Sequence, residues 1–225
     1  YRDYGSRVMY DIGKILVAGG EHSSTSAGII DLNGGTPQVS GTAPMAFGRR
    51  QHNLTVLADG SVLATGGNSS GSPQVDLDNG VYPAELWNPA TGSWRTLAAM
   101  RVTRQYHSTA LLLPDGRVLS AGGGICGTCD AVGYLAKNAE VFSPPYLFKK
   151  NGSAPQQVSY NAPFAISTPS PSSIKKVAMV RLGAVTHSVN MEQRYVPLSF
   201  AAGSGVLNAT APANVDHILP REKAE

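Results

Sequence analysis

Three segments of the chain repeat one design. GKILVAGG starts at Gly13, GSVLATGG at Gly60 and GRVLSAGG at Gly116. Each is a glycine, a short aliphatic run and a Gly-Gly doublet. Two of them follow a first apolar run that ends in Asp-Gly: HNLTVLADG from His52 and HSTALLLPDG from His107. Asp-Gly between apolar runs favours a tight hairpin turn, because both central residues must accept positive φ. A third run follows each doublet: AGIIDL from Ala27, AELWNP from Ala84 and AEVFSP from Ala139. WNPATGSW, from Trp87 to Trp94, then turns towards a fourth strand. The repeats start 47 and 56 residues apart. Four short strands per unit at such a period, with a Gly-Gly doublet, predict kelch-type β-propeller blades. The rival is an unrelated β-sandwich, against which the three matching doublets argue. A propeller closes with about 4–8 blades, and three are legible here. The expectation is a partial propeller cut from a longer polypeptide.

The pattern changes near Ser143. SPPYLFKKNGSAPQQ leads into a region of β-branched runs between proline-rich turns: FAISTPS from Phe164, IKKVAMVRLGAVTHSVN from Ile174, QRYVPLSF from Gln193 and VLNATAP from Val206. These predict a small antiparallel Ig-like β-sandwich, shorter than the roughly 100 residues usual for one. The fold class is therefore all-β, with propeller blades over 1–150 and a truncated sandwich over 151–225. NVDHILPREKAE at the end has no strand period. Charge narrows the partners. Lys and Arg number 18 against 15 Asp and Glu, a net +3, too mild for nucleic acid or an anionic membrane surface. No apolar run approaches the roughly 18 residues of a membrane span, and a monomer is expected.

Tyr106 and His107 open the first strand of the third repeat. Neighbouring side chains on a strand point to opposite faces, so two that share one site must sit where the backbone is still entering the strand. An imidazole nitrogen and a phenol oxygen suit Cu(II), which favours tetragonal N,O ligation, and a further ligand must come from elsewhere. The plain alternatives are a structural histidine and a packing tyrosine. His52, seven residues before Asp59 where His107 is eight before Asp115, is one place out of step and reads as structural. His22 and His217 have no supporting context. Cys126 and Cys129 form a C-x-x-C. Half a zinc site would lack a second pair, so a tight-loop disulfide and an oxidising compartment fit best. Sequons at Asn53, Asn68, Asn151 and Asn208 are weak signals.

RQYHSTALLLPDGRVLSAGGGICGTC, from Arg104 to Cys129, resembles the last blade of the copper radical oxidases, the galactose and glyoxal oxidases. AEVFSPPYLF from Ala139 leans to the glyoxal oxidase branch. GAVTHSVNMEQR, from Gly183 to Arg194, resembles the sandwich loop that reaches into their propeller. The resemblance implies Tyr106 as axial copper ligand and base, with His107 and His187 as imidazole ligands. It places Gln51 and Tyr82 near the substrate face. It implies oxidation of a small aldehyde, sugar or other primary alcohol with O2, giving H2O2, in a secreted or cell-surface protein. A tyrosine is protonated at neutral pH, so a basic role needs a cation beside it. The family's second one-electron centre, a tyrosyl radical cross-linked to cysteine, is expected upstream, since both cysteines here belong to the ICGTC turn. This chain alone is then expected to be inactive. The other reading is a kelch and Ig-like module that binds carbohydrate or protein without redox chemistry.

Overall fold

The computed structural model describes residues 2–71, 74–149, 152–187, 189–190 and 192–213. His217, the sequon at Asn151 and the stretch from 214 onward lie outside the described residues. Each repeat builds one antiparallel meander. The first comprises β1 (Ser6–Asp11), β2 (Lys14–Ala18), β3 (Ala27–Asp31) and β4 (Gln38–Thr42). The second comprises β5 (Arg50–Val56), β6 (Val62–Asn68), β7 (Pro83–Asn88) and β8 (Ser93–Ala99). The third comprises β9 (Ser108–Leu112), β10 (Val118–Gly122) and β11 (Ala139–Phe142). The Asp-Gly and Trp-to-Trp turns fall between strands as the sequence implies.

The first strands of the three sheets stand side by side, β1 against β5 and β5 against β9. Strand β5 is accordingly buried along its whole length, whereas β9 alternates buried and half-buried residues. One core lies between the first two sheets, around Val8, Leu16, Leu54, Val62 and Trp87. A second lies between the second and third, around Leu57, Leu63, Leu86, Ala110 and Val118.

The Gly-Gly doublets make this stacking possible. The Gly20 N–H donates to the Arg49 carbonyl at 2.7 Å, and the Gly67 N–H to the Arg104 carbonyl at 2.6 Å. At Gly19 and Gly66, both with positive φ, a Cβ would collide with those same carbonyls. Each arginine then turns back on its own sheet: Arg49 Nη1 donates to Gly66 O at 2.8 Å, Arg104 Nη1 to Gly122 O at 3.1 Å. Thus one arginine per joint ties a sheet to its predecessor by its carbonyl and to itself by its guanidinium.

The remaining strands are β12 (Pro163–Ser167), β13 (Val177–Arg181), β14 (Val185–Thr186), β15 (Val189–Asn190), β16 (Arg194–Leu198), β17 (Phe200–Ala202) and β18 (Val206–Thr210). They form two antiparallel sheets, β12-β18-β17 and β13-β16. The hairpin β14–β15 leaves them and joins the first meander, where β15 pairs parallel to β1. Of the sequons, Asn53 and Asn68 are buried and closed to a glycan, while Asn208 is exposed.

Arg49 and Glu85 form an ion pair with both side chains fully buried, N···O 2.9 Å. Glu85 also accepts the Ala46 N–H at 2.6 Å. Removing one charge of such a pair strands the other, at a cost of about 3–5 kcal/mol. Glu85→Gln should therefore lower unfolding stability by about that amount in a urea melt, and Arg49→Met/Glu85→Leu by clearly less. A single variant as stable as the parent chain would contradict this.

Candidate metal centre

Arg49 and Arg104 hold matching places, so the residues that follow them can be compared directly. After Arg49, His52 is three residues on and pairs with Gly66. After Arg104, Ser108 is four residues on and pairs with the matching Gly122. The third sheet has one extra residue before its first strand. That surplus carries Tyr106 and His107 out of the ladder, into the turn ahead of β9, with His107 at φ 61°.

Left-handed backbone at a residue other than glycine costs on the order of 1–3 kcal/mol and persists only where neighbours enforce it. Gly124 is the enforcer. Its N–H donates to the Tyr106 carbonyl at 2.9 Å, and its own carbonyl takes the His107 Nδ1–H at 2.9 Å. A carbonyl can only accept, so the Nδ1 proton is fixed and Nε2 of neutral His107 carries a lone pair. Gly124 itself has φ 117°, and a Cβ there would press on Leu135 Cα at 3.0 Å.

His187 sits in the turn of the β14–β15 hairpin, also left-handed at φ 50°. Its Nε2 lies 3.1 Å from Nε2 of His107, 80 positions away in the chain. Its Nδ1 is 2.7 Å from Thr186 Oγ1. The Tyr106 ring stacks on His107 with centroids 3.9 Å apart and meets His187 edge-on at 5.9 Å. Both histidines are exposed and Tyr106 is half-buried. The hydroxyl of Tyr106 makes no hydrogen bond with the described residues.

The lone pair on His107 Nε2 faces His187 Nε2 at hydrogen-bond distance, so what stands between the two nitrogens is either the N–H of the Nε2 tautomer of His187 or a metal cation. Two nitrogens about 2.0 Å from one first-row ion, at about 90°, stand about 2.8–3.0 Å apart. The imidazole spacing and the N,N,O donor set therefore fit copper. Among the described residues no cluster of three His, Cys, Asp or Glu forms, and the aromatic ring packed against both imidazoles is that of Tyr106.

Beneath Tyr106 lies the Cys126–Cys129 disulfide, packed with Val75, Tyr134 and Ala136 in a small core of its own. It closes the base of a short helix, α1 (Gly127–Ala131), and leaves no free cysteine. Among the described residues no hydrogen bond or ring contact joins the other sequence candidates to the trio. Gln51 is buried at φ 61°, with its N–H on Tyr4 O and no hydrogen-bond partner for Nε2 among the described residues. Tyr82 is half-buried, and its carbonyl accepts from Met100 N. His22 packs beside Gly71. Sequence reasoning passed over Gly124, both arginines and Gln193. The glycine and arginine strings were visible, but their partners lie in other sheets.

Comparison with known proteins follows the same lines. Residues 149–221 match the family model of the galactose oxidase-like Early set domain. Over 89% of its length the chain is 37% identical to a galactose oxidase of Gibberella zeae, covering 32% of that protein. It is 30% identical to the aldehyde oxidase GLOX of Vitis pseudoreticulata, covering 88% of this chain and 44% of that one. A fungal alcohol oxidase of the AA5 family, solved in complex with copper, superposes with a TM-score of 0.81 at 30% identity, over 97% of this chain and 50% of that one. The chain spans about a third of the length of the galactose oxidases it matches.

His52 is fully buried, and both ring nitrogens lack a partner among the described residues. Burial and the nearby Arg49 charge push its pKa down to about 3. The unfolded chain binds a proton at this histidine below about 6.5, while the folded chain does not until about 3. Stability should consequently fall as pH drops through that window. In His52→Gln that slope should be shallower, read from urea melts between pH 7 and 4. Identical slopes in the two proteins would refute a buried neutral His52.

Proposed function

We propose, for a chain that belongs to the copper radical oxidase family, that the protein carrying these residues is a copper-dependent oxidase. Its substrate is a small aldehyde or a primary alcohol, sugars included. With an alcohol, two electrons and two protons pass to O2, giving an aldehyde and H2O2. With an aldehyde, its hydrate loses the same and becomes a carboxylic acid. The observation that carries the reading is the approach of His107 and His187 to 3.1 Å beside Tyr106.

In this reading Tyr106, His107 and His187 would hold the metal. A cupric ion bound there would supply a one-electron acceptor and a Lewis acid for the substrate oxygen. The carbonyl of Gly124 keeps the His107 proton on Nδ1 and aims Nε2 inward, the arrangement that orients metal-binding imidazoles. Thr186 steadies His187 from the opposite side. Beside a bound cation the Tyr106 oxygen would accept the proton of the substrate hydroxyl. The exposed rims of both imidazoles leave that oxygen room to approach.

The second electron requires another centre, which the reading assigns to a tyrosine cross-linked to a cysteine. Cys126 and Cys129 are tied to each other, so neither serves. This chain by itself then binds copper without turnover. The domain division at 150/151 belongs to the same reading, supported by a family match that begins at residue 149. So does export to an oxidising compartment, supported by the disulfide. Among the described residues no helix is long and apolar enough to cross a membrane.

Titration of Cu(II) into the chain should show one tight site. The double variant His107→Ala/His187→Ala should weaken it on the order of 100-fold or more. Equal affinity would remove the copper reading and favour a non-catalytic binding module. In a longer polypeptide that also carries the cross-linked pair, H2O2 formation from methylglyoxal or galactose should collapse on Tyr106→Phe. Unchanged turnover would refute the role given to that phenol.

A further inference from the structure

The His187 hairpin is slight. Each of its strands has two residues, and only two parallel pairs, Arg7 with Val189 and Val8 with Asn190, join it to β1. Its turn is exposed and left-handed. Such a short segment would fray unless a second anchor held it. Six residues beyond His187, the side chain of Gln193 is fully buried.

Gln193 does what a strand residue would do. Its Oε1 accepts the Val56 N–H at 2.8 Å, and its Nε2 donates to the Val56 carbonyl at 2.7 Å. Asn190 donates to the same Oε1 at 2.7 Å, and its amide stands 3.5 Å from the Leu54 carbonyl. Val56 lies on β5, whose neighbour is β9, the strand that Tyr106 and His107 lead into. Two side-chain bonds join those strands: Asn53 Nδ2 to Ser108 Oγ at 3.1 Å and Thr55 Oγ1 to Ala110 O at 3.3 Å. One continuous path thus runs from the His187 turn through Asn190, Gln193 and β5 to the His107 turn.

We infer that Gln193 is a positioning residue: its carboxamide, bonded both ways to the Val56 backbone, sets where His187 stands relative to His107. This rests on the copper reading above and deepens it. Pairing with β1 holds β15 on the first meander, Gln193 just beyond it ties the same strand to the second sheet, and Gly124 fixes His107 on the third. Loss of the clamp leaves His187 in the chain but frees its ring from the 3.1 Å spacing.

The test uses the whole chain with Gln193→Met and Gln193→Glu. The first removes all three bonds at similar side-chain length. The second keeps an acceptor for Val56 N–H and removes the donor to its carbonyl. Copper affinity should drop about 10–100-fold, and the Cu(II) EPR spectrum should shift towards that of His187→Ala. Combined with His187→Ala, neither change should weaken binding further, because the clamp acts through that ring. Without copper, hydrogen exchange at the Val56 amide should accelerate. Leu63→Val, in the core between the second and third sheets, should lower the melting temperature yet leave the affinity and the spectrum alone. Wild-type affinity and spectrum in folded Gln193 variants would overturn the inference. So would failure of both variants to fold, which would make Gln193 a requirement of the fold as a whole. If the unaltered chain binds no copper at His107 and His187, the oxidase reading fails, and the Val56 exchange rate alone decides whether Gln193 clamps the hairpin.

Discussion

An arginine carbonyl seated against a glycine doublet is the joint on which the rest depends. It occurs twice, Arg49 on Gly20 and Arg104 on Gly67. No other residue type allows the carbonyl so close, since any side chain at Gly19 or Gly66 would occupy its place. The joints bring β1, β5 and β9 alongside one another. Every later feature uses that row: the two cores, the buried Arg49–Glu85 pair and the seat for the hairpin. The third doublet has no following sheet among the described residues. At Gly123 a Cβ would instead strike Tyr134, whose hydroxyl takes the Gln105 N–H at 3.0 Å. The same motif thus serves there to close the loop behind Tyr106.

Precision at the candidate metal centre comes from backbone groups outside the Tyr106, His107 and His187 side chains. Gly124 is bonded to both Tyr106 and His107, so one residue fixes two neighbouring side chains. The disulfide below holds the loop that contains it. Two left-handed histidines are uncommon in any chain, and here they are the two whose rings meet. At His107 the strained turn is held by Gly124, through the Tyr106 carbonyl and the His107 ring, the way a site keeps a conformation its own sequence disfavours.

Buried polar groups divide into two kinds. Arg49, Arg104 and Gln193 bond to backbone and side-chain groups of other segments and act as fasteners, Arg104 leaving its Nε without a partner among the described residues. His52 has no such partners and stays neutral because burial and a neighbouring cation both oppose its protonation. The two histidines that begin matching sheets therefore have opposite fates. One extra residue after Arg104 separates them.

The strand order within each meander, the turns and the C-terminal β region were legible, because Asp-Gly turns and period-two burial are local properties of the chain. Tyr106, His107 and His187 were legible as a set only through their resemblance to a family; the residues alone marked the first two and left the third open. The destination of VTHSVN was not legible in its pattern. Its β-branched alternation suits a sandwich strand, yet it pairs with β1, because an edge was open there and Gln193 found the Val56 backbone. The sequence alone determined the repeat, the hairpins and the adjacent Tyr106–His107 pair, all set by neighbours a few positions apart. Only the tertiary structure decided that His187 meets His107, since that contact spans 80 positions and depends on hydrogen bonds between sheets that no local pattern encodes.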